Sequence, residues 1–304
     1  MNSSPPAATA LQVENLRKVF RLRGQQNDDN EFVAVDDVSF SVPVSGSLAI
    51  VGESGSGKTT VARMIVGLET PTAGRVLIAG VERAAAKSGR DARRERAREA
   101  QMVFQDPYSS LDPRQTVLAC LDEVVSLNSD LDKAGRRDRV SELLTQVGLD
   151  ERHKSLRPRA LSGGQRQRVA IARALATNPT VLILDEAVSA LDVSVQGQVL
   201  NLLADLRTEL GITYVFVSHD LAVVQQVSDE VIVMQGGRVV ESGPTDAVLT
   251  SPREDYTKQL LEAVPRPGWT PRRQVTLGRP LSRLVGMPDR PVPDSSTDDV
   301  HPPG

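Results

Sequence analysis

The stretch "GESGSGKT" runs from Gly52 to Thr59, directly after the short apolar run "SLAIV". Its glycines let backbone N–H groups approach a phosphate closely, and its last two residues supply a cation and a hydroxyl. This spacing predicts a phosphate-binding loop between a strand and a helix, with Lys58 on the β- and γ-phosphates and Thr59 on Mg²⁺. The residues predicted to hold the nucleotide here are Gly52, Glu53, Ser54, Gly55, Ser56, Gly57, Lys58, Thr59 and Thr60.

A pair of acids follows a second apolar run, "VLILDE", and ends in Asp185 and Glu186. Such a pair is more often the solvated start of a helix than a catalytic group. Beside a phosphate loop, however, an acid at the carboxyl end of a strand can hold Mg²⁺, directly or through water. A second acid near a γ-phosphate is placed to polarise an attacking water. We therefore expect Asp185 at the metal and Glu186 as the catalytic base.

A second possible anion site lies far along the chain, in "LSGGQRQRVAIARAL". The pattern predicts a helix whose first turn contains Ser162, Gly163 and Gly164. Free N–H groups and the positive end of the helix dipole make such a terminus attractive to an anion. The chain thus carries two predicted phosphate sites that are widely separated in sequence.

Alternating and continuous apolar runs predict the elements that position these motifs. "FVAVDDVSFSV" alternates as half-buried antiparallel strands do, and "RGQQNDDN" (23–30) is typical of a surface loop. "TVLILDE" and "ITYVFVSHD" are continuously apolar, which is typical of parallel strands buried on both faces. The pattern from 106 to 160 is helical, and it indicates a helical subdomain inserted into an α/β domain. A helix over Val193–Leu210 and a hairpin turning at Gly236–Gly237 complete the pattern.

Composition excludes several classes of protein. The net charge of −3 argues against nucleic acid as a main partner, and a single cysteine excludes an internal disulfide. The chain has no apolar run of the roughly 18 residues that span a bilayer, and its start lacks a signal-peptide core. We therefore expect a cytoplasmic protein that reaches a membrane only through a partner. From Pro265 onward the chain holds nine of its nineteen prolines, which predicts a poorly ordered tail over 265–304.

Five motifs in order, "GESGSGKT", "FQDP", "LSGGQ", "LILDEAVSALD" and "VSHD", resemble those of ATP-binding cassette (ABC) ATPases. "LSGGQ" is the signature peculiar to that family, and the resemblance covers about Leu11 to Leu261. It implies that Gln105 senses Mg²⁺ and the attacking water, that His219 contacts the γ-phosphate, and that Asp192 lies at a subunit interface. It also implies an aromatic platform for adenine, for which Phe20 fits better than Phe32.

The resemblance implies a P-loop NTPase (RecA-like) core with an antiparallel β subdomain and an inserted α-helical subdomain. The ABC ATPase domain is expected over 11–264. Two cassettes would pack head to tail, so that Ser162, Gly163, Gly164 and Gln165 of one chain close over the ATP held by Lys58 of the other. This arrangement explains why one chain carries two separated phosphate sites.

Longer segments of the sequence, such as "MVFQDPYSSLDPRQTV" and "SPREDYTKQLLEAVP", resemble those of the oligopeptide/dipeptide branch of ABC importers, which includes nickel importers. The expected partners are a second ATPase subunit, identical or related, membrane permease subunits and, indirectly, an extracytoplasmic solute-binding protein. The expected location is the cytoplasmic face of the membrane. Some members carry a cysteine cluster in the C-terminal extension; this extension has no cysteine, so no iron–sulfur cluster is expected.

Two alternatives remain open at this point: the stand-alone ATPase of an exporter, and a soluble ABC protein without a transport role. The second fits less well, because such proteins usually carry two cassettes or a long coiled coil. Residues Tyr108 to Leu111 are expected to form the surface that receives the permease.

Overall fold

The computed structural model describes residues 8–21, 31–83, 89–106 and 110–263. The predicted loop at 23–30, Tyr108 of the predicted docking surface and the predicted tail from Pro265 lie outside these residues. Within them, the strands are β1 (Thr9–Arg21), β2 (Glu31–Pro43), β3 (Ser47–Val51), β4 (Ala73–Ile78), β5 (Val81–Glu82), β6 (Ala100–Val103), β7 (Val181–Asp185), β8 (Thr213–Val217), β9 (Glu230–Gln235) and β10 (Arg238–Pro244).

The helices of the same residues are α1 (Lys58–Ile65), α2 (Arg90–Glu99), α3 (Val117–Asn128), α4 (Lys133–Gln146), α5 (Gly163–Leu175), α6 (Val193–Leu210), α7 (Leu221–Val227), α8 (Thr245–Thr250) and α9 (Asp255–Glu262). Two short 3₁₀ helices, Glu151–Ser155 and Pro158–Ala160, precede α5. Helix α6 has the predicted bounds, and Gly211 ends it in the left-handed conformation.

Two sheets form the framework. An antiparallel sheet has the strand order β2-β1-β4-β5, and a six-stranded sheet has the order β10-β9-β3-β8-β7-β6. In the second sheet β9, β3, β8, β7 and β6 run parallel, and the hairpin partner β10 is antiparallel. The carboxyl ends of β3, β7 and β8 therefore meet at one edge, where ligands bind in open α/β sheets.

The six-stranded sheet is buried on both faces. In β3, Leu48 and Ile50 face one apolar core, which includes α1 and the antiparallel sheet, whereas Ala49 and Val51 face a second core that includes α3 to α6. Alternate residues of a strand point to opposite faces, so a five-residue strand with no polar face must lie between two layers. The fold confirms the prediction of a P-loop-type α/β core with an antiparallel β subdomain and a helical segment.

Helix α1 ends at Ile65, just before a glycine turn. Gly67 adopts φ 71°, and its N–H donates to the carbonyl of Met64, while the N–H of Leu68 donates to the carbonyl of Arg63. This pair of bonds satisfies the last carbonyls of the helix and ends it at Ile65.

The predicted docking surface needs one correction. Leu111 is only 3% exposed and belongs to the core that includes α3 and α5. Because its side chain is enclosed, Leu111 supports the fold and offers nothing to a partner. Among the described residues, no helix is both long and apolar enough to cross a bilayer.

Candidate active site

The phosphate loop joins β3 to α1 and encloses its lysine. Nζ of Lys58 donates to the carbonyl oxygens of Gly52 and Glu53, both at 2.7 Å, and lies 3.5 Å from Oγ of Ser56. The side chain is only 6% exposed, and this burial lowers its pKa, while the carboxylates of Glu186, Asp185 and Glu53 act in the opposite direction. A cation held on carbonyl oxygens at the mouth of a loop is ready to transfer to phosphate oxygens.

Two glycines of the loop are required by close backbone contacts. A Cβ on Gly52 (φ 147°) would lie 2.2 Å from the carbonyl oxygen of Met234, and one on Gly57 (φ 102°) would lie 2.5 Å from that of Ala34. No side chain fits at either distance. The loop is therefore pressed against β9 and β2, which fixes its backbone N–H groups in place.

Asp185 and Thr59 form the expected pair of oxygen donors. Asp185 ends β7, and its Oδ1 lies 3.3 Å from Oγ1 of Thr59 in the first turn of α1. Burial raises the pKa of Asp185, and the hydrogen bond from Thr59 lowers it in part. A carboxylate and a hydroxyl next to each other are the hard oxygen ligands that Mg²⁺ prefers.

Glu186 and His219 meet at the ends of neighbouring strands. The backbone of Glu186 is left-handed (φ 48°), and its N–H donates to the carbonyl of Val217 at the end of β8. Its Oε1 lies 3.0 Å from Nδ1 of His219, whose side chain is 60% exposed. The strained backbone directs the carboxylate toward the cleft while the histidine remains open to solvent.

One cleft of about 440 Å³ collects half of the predicted site residues, and we call it the phosphate-loop cleft. Its size falls in the range of small-molecule sites. Gln105 and Glu186 lie in its wall, together with two aromatic rings from the β subdomain. The lining residues are Phe20, Phe32, Ala34, Ser54, Gly55, Gly57, Lys58, Thr59, Thr60, Gln105 and Glu186.

The two phenylalanines are direct cross-strand partners on β1 and β2. Phe32 is 51% exposed. One face of the Phe20 ring is covered by Nζ of Lys18, which lies 4.9 Å from the ring centroid. Both rings are therefore placed to contact a base, although the sequence favoured Phe20.

The signature residues are organised as a helix cap. Oγ of Ser162 accepts from the N–H of Gln165, and Oε1 of Gln165 accepts from the N–H of Ser162 at 2.9 Å. This bond turns the amide nitrogen of Gln165 toward Nε2 of His153, at 3.2 Å. None of Ser162, Gly163, Gly164 and Gln165 is among the described residues that line the phosphate-loop cleft of the same chain.

Two contacts of these motifs have no counterpart in the sequence pattern. His153 has no motif around it, yet it contacts Gln165 of the signature. Tyr256, in the C-terminal extension, accepts a hydrogen bond from the N–H of Glu53 in the phosphate loop. Both contacts depend on tertiary packing, so no local periodicity could have indicated them.

Comparison with known proteins agrees with this geometry. The family model described as "ABC transporter" matches residues 35–189. The chain is 44% identical over 265 residues to the dipeptide transport ATP-binding protein DppF of Escherichia coli, with 87% of this chain and 79% of that protein covered. It is 46% identical over 235 residues to the oligopeptide transport ATP-binding protein OppF of Bacillus subtilis, with 77% of each covered.

Solved structures show the same cassette. The structure of cbiO1 from Clostridium perfringens, part of the ABC transporter complex cbiONQ, matches with a TM-score of 0.70 and 30% identity, over 80% of this chain and 92% of that chain. A dimeric post-hydrolysis state of the ATP-binding cassette MJ0796, bound to ADP and Pi, matches with a TM-score of 0.68 and 30% identity. The match covers 77% of this chain and 98% of that chain. The phosphate-loop cleft, the capped signature helix and these similarities together show that the chain belongs to the ABC transporter family.

Proposed function

We propose that the chain is the ATP-hydrolysing subunit of a membrane importer for peptides or similar small solutes. The observation that carries the proposal is the convergence of Lys58, Thr59, Gln105 and Glu186 on one cleft, in a chain 44–46% identical to dipeptide and oligopeptide transport ATP-binding proteins. The same relatives favour import over the exporter alternative.

In this proposal the loop binds the phosphates of ATP. Lys58 exchanges the carbonyl oxygens of Gly52 and Glu53 for β- and γ-phosphate oxygens, and the loop N–H groups surround the β-phosphate. Asp185, Thr59 and Gln105 would hold Mg²⁺, which neutralises charge on the phosphates when it is bound. Phe20, with Phe32 beside it, stacks on adenine.

Glu186 is the proposed base. Its carboxylate accepts a proton from the attacking water as the new oxygen–phosphorus bond forms, and the bond between the γ-phosphorus and the bridging oxygen breaks to release ADP. His219 holds the carboxylate through the 3.0 Å contact and presents its exposed ring edge to the γ-phosphate. Gln105, which lines the same cleft, would orient the water.

Each complete site is proposed to need two chains. The signature residues do not line the cleft of their own chain, and the MJ0796 cassettes similar to this one are dimeric. Ser162, Gly163, Gly164 and Gln165 of one chain would close over the γ-phosphate that Lys58 of another holds. ATP then joins the two cassettes and hydrolysis releases them, which converts the chemistry into motion.

The proposed partners are a second ATPase subunit, membrane permease subunits and, through them, an extracytoplasmic solute-binding protein. The chain would lie peripherally at the cytoplasmic face of the membrane. The relatives' role as transport ATP-binding proteins supports these assignments. The proposed boundaries are an ABC ATPase domain over 11–264, its helical subdomain over about 106–160, and a separate segment over 265–304.

The direct test is transport by the reconstituted complex. The subunit is assembled with its permease in liposomes, with ATP and Mg²⁺ on the cassette side, the binding protein on the other side, and a labelled dipeptide supplied to each side in turn. We expect ATP-dependent movement of the peptide toward the cassette side, and none with Glu186→Gln. Movement in the opposite direction would identify an exporter, and ATP hydrolysis without any movement would contradict the transport role.

A further inference from the structure

The C-terminal helix α9 contacts the phosphate loop through a single hydroxyl group. The N–H of Glu53 donates to Oη of Tyr256 at 3.0 Å, across 203 residues of sequence. Helix α9 belongs to neither the phosphate loop nor the signature, and Tyr256 does not line the phosphate-loop cleft. The contact therefore connects the C-terminal extension to the loop from outside the phosphate-loop cleft.

The bonded N–H shares a peptide group with an acceptor of the loop lysine. The amide of Glu53 and the carbonyl of Gly52 form one planar peptide unit. Tyr256 accepts from the N–H side of this unit, and Nζ of Lys58 donates to its carbonyl side at 2.7 Å. Because the N–H and the carbonyl belong to one rigid plane, the bond to Tyr256 fixes the orientation of this unit at the entrance to the loop.

The same peptide unit has little freedom to move in other ways. Gly52 is pressed against the end of β9, where a Cβ would lie 2.2 Å from the carbonyl oxygen of Met234. The next peptide unit along the chain is held as well, because the carbonyl of Glu53 accepts from Nζ of Lys58 and from the N–H of Ser56. The hydroxyl of Tyr256 thus completes a set of contacts that defines the entrance to the loop.

Tyr256 is itself held firmly. Its ring packs against the core that includes α5 and α6, together with Leu260 of the same helix. The carboxylate of Glu241, on β10, is 9% exposed and accepts from the N–H groups of Arg253 and Glu254 just before α9. The ring is held by the core and the chain just before its helix is held by Glu241. The hydroxyl of Tyr256 can therefore hold the phosphate loop in one position.

We propose that Tyr256 is a positioning residue of the nucleotide site, which makes the C-terminal helix part of the machinery that sets ATP affinity. This inference rests on the proposed ATPase function. Tyr256 touches no reacting atom, so it acts through the Gly52–Glu53 peptide, which positions the loop before ATP binds. It should therefore affect the binding of ATP and leave the rate of its hydrolysis nearly unchanged.

The test compares Tyr256→Phe, which removes only the hydroxyl, with Leu249→Ala, which removes packing of the preceding helix α8 against the same core. One hydrogen bond of this kind corresponds to about a 2- to 12-fold change in an equilibrium constant. We expect Tyr256→Phe to raise the Kd for ATP by that factor with kcat within about twofold of wild type. Leu249→Ala should lower the melting temperature and leave the Kd unchanged. An unchanged Kd in Tyr256→Phe, or an equal rise in both variants, would overturn the proposal.

A second measurement observes the contact without nucleotide. Hydrogen exchange of the Glu53 amide in the full chain should be faster in Tyr256→Phe than in wild type, because the amide loses its acceptor. Equal exchange rates would refute the contact. Failure of the wild-type protein to bind ATP would instead refute the proposed function, so the two failures can be told apart.

Discussion

Nδ1 of His219 lies 3.0 Å from Oε1 of Glu186, and the two residues follow the neighbouring parallel strands β8 and β7. The left-handed backbone of Glu186 and its bond to the carbonyl of Val217 bring the carboxylate to this point. The pair links the proposed base to a group that remains open to solvent. Such a link lets a histidine hold a carboxylate in position and still reach a phosphate.

Replacing His219 by Ala should lower kcat more than it weakens ATP binding. The substitution removes the contact that orients Glu186, while the loop residues that bind the phosphates stay intact. We expect a loss in kcat of about 100-fold, at the lower end of the range for a positioned acid–base group. Steady-state kinetics and ATP titration of the same protein check this. A variant with wild-type kcat would remove His219 from the mechanism.

Lys58→Ala should bind ATP about 10- to 150-fold more weakly, because hydrogen bonds to charged groups are worth about 1.5–3 kcal/mol. Lys133→Ala, which changes an exposed lysine at the start of α4, is the matched control and should leave affinity unchanged. Isothermal titration with ATP and Mg²⁺ measures both. Equal affinity in the two variants would refute the assignment of the phosphate loop.

Phe20→Ala should weaken ATP binding by about 5- to 150-fold, since stacking of a base on an aromatic ring contributes about 1–3 kcal/mol. Phe32→Ala tests the cross-strand partner. Phe20 is the proposed main platform, although Lys18 already covers one of its faces. Titration with ATP and with inorganic triphosphate separates the base from the phosphates. A larger loss of ATP affinity in Phe32→Ala would transfer the platform to Phe32.

Alanine substitutions at the two signature glycines should have different effects, because the space around each glycine differs. A Cβ on Gly164 would lie 2.4 Å from Cγ1 of Val195, whereas one on Gly163 would lie 3.4 Å from Cδ2 of Leu191. Gly164→Ala should therefore reduce the free energy of unfolding by about 1–3 kcal/mol through overpacking. Gly163→Ala should keep its stability and lose hydrolysis, because in the proposed dimer its Cβ would face the nucleotide of the partner chain.

Urea denaturation and ATPase assays of both glycine variants check this difference. Val195→Ala provides the control: Gly164→Ala should cost less stability in that background, because the obstructing methyl is gone. An identical cost in both backgrounds would show that the clash is not the cause. Wild-type hydrolysis by Gly163→Ala would argue against closure of the site by a second chain.

The local sequence pattern was sufficient to predict the parts of the site that lie at strand ends. The glycine spacing located the phosphate loop, and the apolar run before Asp185 and Glu186 placed both acids at a strand end, where Asp185 bonds to Thr59 and Glu186 lines the cleft. Periodicity also predicted the bounds of α6. These features are encoded within a few neighbouring residues, so a sequence can reveal them.

Contacts between distant segments could not be predicted in this way. Leu111, in a turn-rich stretch that pattern assigns to the surface, is buried because α3 and α5 close over it. The bond between Tyr256 and Glu53 needs the whole sheet to bring the two segments together. The position of the Lys18 ammonium over the Phe20 ring could not be predicted from the sequence either. It depends on the ion pair of Lys18 with Glu69, in a loop before β4.

The central claim, that Glu186 activates water at a bound ATP, is tested most directly by the turnover rate of Glu186→Gln in the assembled transporter. The amide has the same shape and can keep its contact with His219, but it is a poor base. We predict that hydrolysis falls by about 100- to 10,000-fold, while ATP affinity stays within a few-fold of wild type. Hydrolysis within tenfold of the wild-type rate, at saturating ATP, would contradict the account.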